Sequence, residues 1–223
     1  MATSTEPATA GTDPHRTVRP GVPERVTDGR QLRRRRNREA VVEALLDLYR
    51  EGNLRPSTEE IATRSGLSPR SLFRYFDDVD DLTRTAVRHQ HERAQHLVPV
   101  GAGAHEPLAH KVETLVAQRF RLFDGVGNAA AVARLRAPFQ PVLALEVRRN
   151  RAFLRAQIEE LFAPELADMS EDRAAAALAA ADVLTSFEAC QLLLGDQGLS
   201  APGARAGVVL GLLAILGPPA EPR

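Results

Sequence analysis

Arg70 and Arg74 stand four positions apart on the outer face of a short stretch that opens at Ser68-Pro69, and Ser71 and Tyr75 repeat that spacing beside them. The face carries donors and meets no acid until Asp77. Arginine donates in a rigid fork that fits the major-groove edge of guanine, whereas serine and tyrosine hydroxyls suit phosphate oxygens. A solvated surface helix usually mixes signs, so Pro69, Arg70, Ser71, Arg74 and Tyr75, opened by Ser68, are the pattern expected of a face that reads DNA. Arg70 and Arg74 are the candidate base contacts, and Ser57, Ser71 and Tyr75 the candidate phosphate contacts.

A second basic group lies upstream, where Arg30, Arg33, Arg34, Arg35, Arg36 and Arg38 accumulate with no acid until Glu39. The apolar stripe that follows, Val41, Leu45, Leu48 and Tyr49, makes this a helix with a basic N-terminal end. Positive charge there opposes the helix dipole at a cost of about 0.3 kcal/mol or more per residue, so an external anion explains the cluster better than helix stability does. Arg34, Arg35, Arg36 and Arg38 are therefore expected to hold DNA phosphates.

Other reactive side chains point to no chemistry. His89, His91, His96, His105 and His110 are close in sequence, but none stands at i, i+4 with a flanking carboxylate as a helical zinc motif needs, so no metal is expected. Cys190 sits among Phe187 and Leu192 to Leu194, where cysteine behaves as a small hydrophobe. No GxSxG, phosphate-cradling glycine loop or HExxH occurs, so neither an enzyme nor a cofactor is expected.

The elements that must position the two basic groups are marked by their caps. The first helix ends near Glu51-Gly52. A second starts at Ser57, which with Glu60 has the spacing of a capping box, buries Ile61 and Ala62, and stops at Ser65-Gly66. A third takes Ser68 as N-cap with Pro69 in its first position and runs to about Phe76, with Leu72, Phe73 and Phe76 packed under the first helix. Two short helices joined by a glycine-containing turn behind a longer one make a helix-turn-helix over residues 57–76.

From about Arg34 to Val87 the chain resembles the DNA-binding domain of the TetR family, most clearly in Ile61-Ala62, Gly66-Leu67-Ser68 and the run Ser71-Leu72-Phe73-Arg74-Tyr75-Phe76. Two positions depart from that pattern: Pro56 stands where a hydroxyl residue is frequent, and Val79 where a lysine often opens the fourth helix. The resemblance implies a homodimeric regulator, with repression favoured, that binds a palindromic double-stranded DNA operator and is released by a small-molecule effector. It also implies that two recognition helices enter successive major grooves about 34 Å apart and that the last two long helices form the dimer interface.

Composition frames the rest. The 223 residues are 43% hydrophobic, carry a formal net charge of zero and have a pI near 7.0, so any nucleic-acid signal is local. One cysteine, a start without a signal-peptide core and no apolar run of membrane length give the expectation of a cytoplasmic protein. The fold class expected is all-α: a disordered arm over 1–28, the DNA-binding domain over 29–79, a helical ligand-binding and dimerisation domain over 80–216, and a disordered tail over 217–223. Within the third, helices are expected over 80–97, 106–124, 129–136, 141–162, 170–194 and 201–216, separated by proline and glycine breaks.

Phe120, Phe123, Phe139, Phe153 and Phe187 are the candidate pocket wall, with core packing the plainer alternative. Arg119 and Arg121 beside Phe120, and Arg148, Arg149, Arg151 and Arg155, could meet an anionic ligand group or form a solvated face. Small residues, Ala177 and Ala181 on one helix and Gly207 and Gly211 on the last, are the candidate dimer contacts, since each helical glycine costs about 1 kcal/mol and close packing would justify it. The competing reading of the whole chain is a helical protein-interaction module without sequence-specific DNA binding.

Overall fold

A computed structural model describes residues 25–218, and all regular structure among them is helical. The expected arm and tail therefore lie largely outside the described residues. Helix α1 (Arg25–Arg50) begins before Gly29, and Gly217 is buried at the end of the last helix. The first part of α1 is exposed from Gly29 to Arg36, whereas Val41, Leu45, Leu46 and Tyr49 are buried. The basic segment thus projects beyond the core that its own C-terminal half anchors.

Helix α2 (Thr58–Ser65) carries the capping box: the Ser57 hydroxyl accepts from the Glu60 amide at 3.2 Å and the Glu60 carboxylate accepts from the Ser57 amide at 2.7 Å. Gly66 closes it at φ 70, a left-handed conformation that a side chain would strain. Helix α3 (Pro69–Leu72) is shorter than expected. Beyond Leu72 the chain winds on through turns, with the Arg74 amide on the Ser71 carbonyl and the Tyr75 amide on the Leu72 carbonyl. Leu72 and Phe76 both fill the site under α1, and Phe73, about 100° round the axis from Leu72, is left 48% exposed rather than packed there.

Helix α4 (Val79–Ala94) starts at Asp78, whose carboxylate accepts from the Asp81 amide, and ends in a tight turn over Gln95–Leu97. The two helices expected over 106–124 and 129–136 lie end to end in α5 (Leu108–Arg136), separated by a kink at Gly127, whose φ of 49 is not helical, so the glycine break falls where expected. Gly125 lets the Gln95–Leu97 turn press against α5, since a Cβ there would lie 2.5 Å from Leu97 Cδ1. Helix α6 (Pro141–Leu161) is followed by a short α7 (Ala163–Ala167) that no periodicity announced.

The long helix expected over 170–194 is broken. Helix α8 (Glu171–Leu184) stops at Thr185, whose hydroxyl turns back onto the Ala181 carbonyl, and Ser186 caps a new helix, α9 (Phe187–Gln191), by accepting from the Ala189 amide. A wide turn over Leu192–Asp196 leads to α10 (Ala201–Leu216), which includes Gly203.

The core falls into separate clusters, the two largest at opposite ends. Around α1 to α4 it gathers Val41, Leu45, Tyr49, Ile61, Leu72, Phe76 and Leu82, and it takes in Ala129 and Val132 from α5. The far end packs α5, α6, α8 and α10 through Val112, Leu115, Ile158, Phe162, Leu178 and Leu212. Lys111, fully buried, staples that end: its ammonium donates to the Ala104 and Leu161 carbonyls and to the Glu165 carboxylate at 2.6 Å.

This packing corrects the expected dimer contacts. Ala177 and Ala181 are 5% and 0% exposed because they face the chain's own core, so they do not reach a partner. Gly211 is used internally as well, since a Cβ there would meet Leu184 Cδ1 at 3.0 Å. Gly207 alone of the four is exposed, with nothing within 4 Å of an added Cβ.

Candidate nucleic-acid interface and ligand cavity

The exposed end of the helix-turn-helix holds Ser68, Pro69, Arg70 and Arg74 in solvent, with Ser71 half-buried behind them. The Ser68 hydroxyl caps α3 by accepting from the Ser71 amide and lies 2.9 Å from the Ser71 hydroxyl. Among the described residues neither Arg70 nor Arg74 has a carboxylate within ion-pair distance, whereas Arg50, Arg64, Arg84, Arg93 and Arg136 are each paired with one. Ser57 is exposed but its hydroxyl is committed to the α2 cap.

Tyr75 does not stand free on this face. It is half-buried, and its hydroxyl accepts from Asn37 Nδ2 at 2.8 Å, which ties the turn after α3 to α1 and leaves the phenolic hydrogen to donate. Arg38 is likewise occupied: its guanidinium lies 4.9 Å from the Phe76 ring centre and donates to the Thr85 hydroxyl at 3.3 Å, bracing α1 against α4. Arg35 pairs with Glu39 one turn on, at 2.9 Å. Arg33, Arg34 and Arg36 are exposed with no such partner among the described residues. Asn37 carried no signal in the sequence, because its role depends on a contact 38 positions away.

Behind the head, a cavity of about 550 Å³ opens between α4, α5, α6 and α9. Phe123, Phe153 and Phe187 line it, and the rings of Phe123 and Phe187 meet edge to face at 5.6 Å. Phe153 is 53% exposed and stands at its mouth. Two of the expected wall residues lie elsewhere. Phe120 does not line the cavity but packs between the far core and the cluster of Phe123 and Phe187, and Phe139, in the turn before α6, is 84% exposed.

The polar groups in the wall come from three helices and a turn, so no motif marks them: His91 on α4, Gln95 in the turn that follows it, Arg134 on α5, and Asn150 and Gln157 on α6. Arg134 stacks 4.2 Å from the Phe187 ring centre and donates to Glu188 at 2.8 Å, and Arg151 also reaches Glu188. Burial alone would raise the Glu188 pKa, but the hydrogen bond from Arg134, its charge and Arg151 hold it below the usual carboxylate range. Burial, and then the charge of Arg134, lowers the pKa of His91 and favours the neutral ring. Burial raises that of the Cys190 thiol, with Asp124 adding to the effect. No set of three metal-ligating side chains comes together among the described residues. No single helix among them is long and apolar enough to cross a membrane.

No protein-family model matches the chain, and no curated protein is significantly similar to it in sequence. Solved structures do match. A transcriptional regulator from Rhodococcus sp. Rha1 is similar over 80% of this chain and 95% of its own, with a TM-score of 0.61 at 19% identity. A protein described as a TetR-family transcriptional regulator from Rhodococcus sp. is similar over 81% of this chain and 99% of its own, with a TM-score of 0.56 at 16% identity. The chain thus has the fold of these regulators, a helix-turn-helix head on an all-helical body.

Proposed function

We propose that this chain is a non-enzymatic, ligand-responsive transcription regulator of the TetR type, acting in the cytoplasm as a homodimeric repressor that a small molecule releases from a palindromic operator. The observation that carries the reading is the pair Arg70 and Arg74, held in solvent by a doubly capped helix-turn-helix with no acid among the described residues to neutralise them. Buried or paired arginines serve the fold; exposed arginines without partners on a rigid element are available to an outside anion. On this reading Arg70 and Arg74 reach base edges. Ser57, Ser68, Pro69, Ser71 and Tyr75 fit against the backbone, and Arg34 and Arg36 add phosphate contacts from α1, where Arg35 and Arg38 contribute charge while bracing the helix.

Helix α4 supplies the link between sites. Leu82 and Ala86 lie in the head core, and His91 and Ala94 lie in the cavity wall. A ligand that moves the end of α4 therefore moves the head, and with it the spacing of two recognition helices in a dimer. The dimer contacts on this reading are the outward faces of α8 and α10. Val183 is 65% and Leu210 72% exposed there, and Gly207 and the exposed Ala176, Ala179 and Ala214 lie beside them.

The test is retention of sheared genomic DNA by the purified protein across a salt series. Enrichment of a palindrome that persists as salt rises is the expected result. Binding that salt abolishes without enriching any sequence would instead favour a helical protein-interaction module.

A further inference from the structure

Arg119 is 1% exposed, in the middle of α5, and among the described residues no carboxylate reaches it. One terminal nitrogen donates to the amide oxygens of Gln118 at 2.6 Å and Gln157 at 3.0 Å, the other to the Leu154 carbonyl at 2.9 Å, and Nε has no partner. Asp182, the acid whose charge acts on it, lies instead 3.7 Å from Arg155. Burial brings the Arg119 pKa down to about 10, which still leaves it charged at neutral pH. An enclosed cation surrounded by neutral acceptors, with one donor unmet, is an expensive arrangement for a fold to keep for its own sake.

Its place in the molecule suggests what completes it. Leu154 and Gln157, which hold the guanidinium, are also wall residues of the large cavity, as is Phe123 one turn along α5. Arg119 therefore stands directly behind the cavity wall, screened by a glutamine side chain that is only half-buried. The cation that lines the wall itself, Arg134, already holds an ion pair with Glu188 at 2.8 Å.

We propose that the cavity takes an organic acid, whose apolar body packs against Phe123, Phe153 and Phe187 and whose carboxylate displaces the Gln157 amide oxygen to accept from Arg119. This rests on the reading of the cavity as the effector site and narrows it to a chemical class. An ionised acceptor on a guanidinium makes a shorter and stronger hydrogen bond than an amide oxygen does. The displacement has a consequence for α4. Gln157 also donates to the Val98 carbonyl at 3.2 Å, in the segment that leaves the end of α4, so moving its amide releases a tie on that segment. Gln118 holds the same segment through the Leu97 and Val98 carbonyls.

Decanoate and decanol share a chain and differ at the head group, so titrating each into the full-length protein at neutral pH by calorimetry isolates the anion. Decanoate should bind at least about tenfold more tightly than decanol. In Arg119→Met, which replaces the buried charge by an apolar chain of similar length, the ratio should fall to about one. In Gln157→Ala, which removes the competing acceptor, it should be kept or rise. Equal binding of the two probes by the unaltered protein, or an unchanged ratio in Arg119→Met, overturns the proposal. If Arg119→Met does not fold, the glutamine variant decides, because a ratio that drops to one there would make Gln157 itself the anchor. Binding of neither probe overturns both the proposal and the effector-site reading, whereas palindrome enrichment reads the DNA-binding assignment independently.

Discussion

At the scale of single residues, the two arginine groups separate by what surrounds them. Arg38 and Arg35 are spent on Phe76, Thr85 and Glu39, but Arg70 and Arg74 are exposed and have no carboxylate partner among the described residues. Arg70→Ala should cost about 1–3 kcal/mol of discrimination at one operator position while sparing non-specific binding at low salt. Binding assays on single-base operator variants measure this, and an equal loss on every sequence would make Arg70 a backbone contact. His91 makes a pH prediction. Its folded-state pKa lies below 6.5, so the unfolded chain takes up a proton that the folded chain resists. Its contribution is intact well above pH 6.5 and is lost as pH falls through the depressed folded value. Urea titrations should show that His91→Gln loses less stability on acidification than the unaltered protein does.

At the scale of elements, small residues on α8 and α10 face two ways, into the subunit and out of it. Gly211 accommodates Leu184, so Gly211→Leu overpacks the subunit and should destabilise it by about 1–3 kcal/mol in denaturant. Gly207 faces out, so Gly207→Leu should leave the subunit folded and helical yet shift it from dimer to monomer by sedimentation velocity. A dimer unchanged in Gly207→Leu would place the interface elsewhere. The capped elements were legible in advance because their determinants are local: Ser57 with Glu60, Gly66, and Ser68 with Pro69. The break in the α8 region was not, since a run of alanines has no internal punctuation and the stop comes from Thr185 and Ser186 bonding back to the chain.

At the scale of the molecule, the head core reaches into the body, because Ala129 and Val132 of α5 pack among head residues. Further ties cross the same boundary: Asn128 donates to the Tyr49 carbonyl at 2.6 Å, and Arg136 pairs with Asp80 at 2.5 Å. Chemical denaturation should therefore proceed in a single transition that reports alike by circular dichroism and by tyrosine fluorescence, since both tyrosines, Tyr49 and Tyr75, lie in the head. Two separated transitions would mean that the head folds alone and that α4 transmits less than this packing implies.

The sequence by itself determined the all-helical class, the helix-turn-helix and its caps, and the basic character of α1 and α3. These follow from periodicity and from side chains acting on backbone within a few positions. Tertiary structure alone decided which faces are free. It turned Phe73 and Phe139 outward and Ala177 and Ala181 inward, engaged Tyr75 with Asn37, and set Arg119 unpaired behind a cavity wall. Those outcomes depend on which helices meet, and helix spacing along the chain carries no record of a neighbour that arrives from tens of residues away.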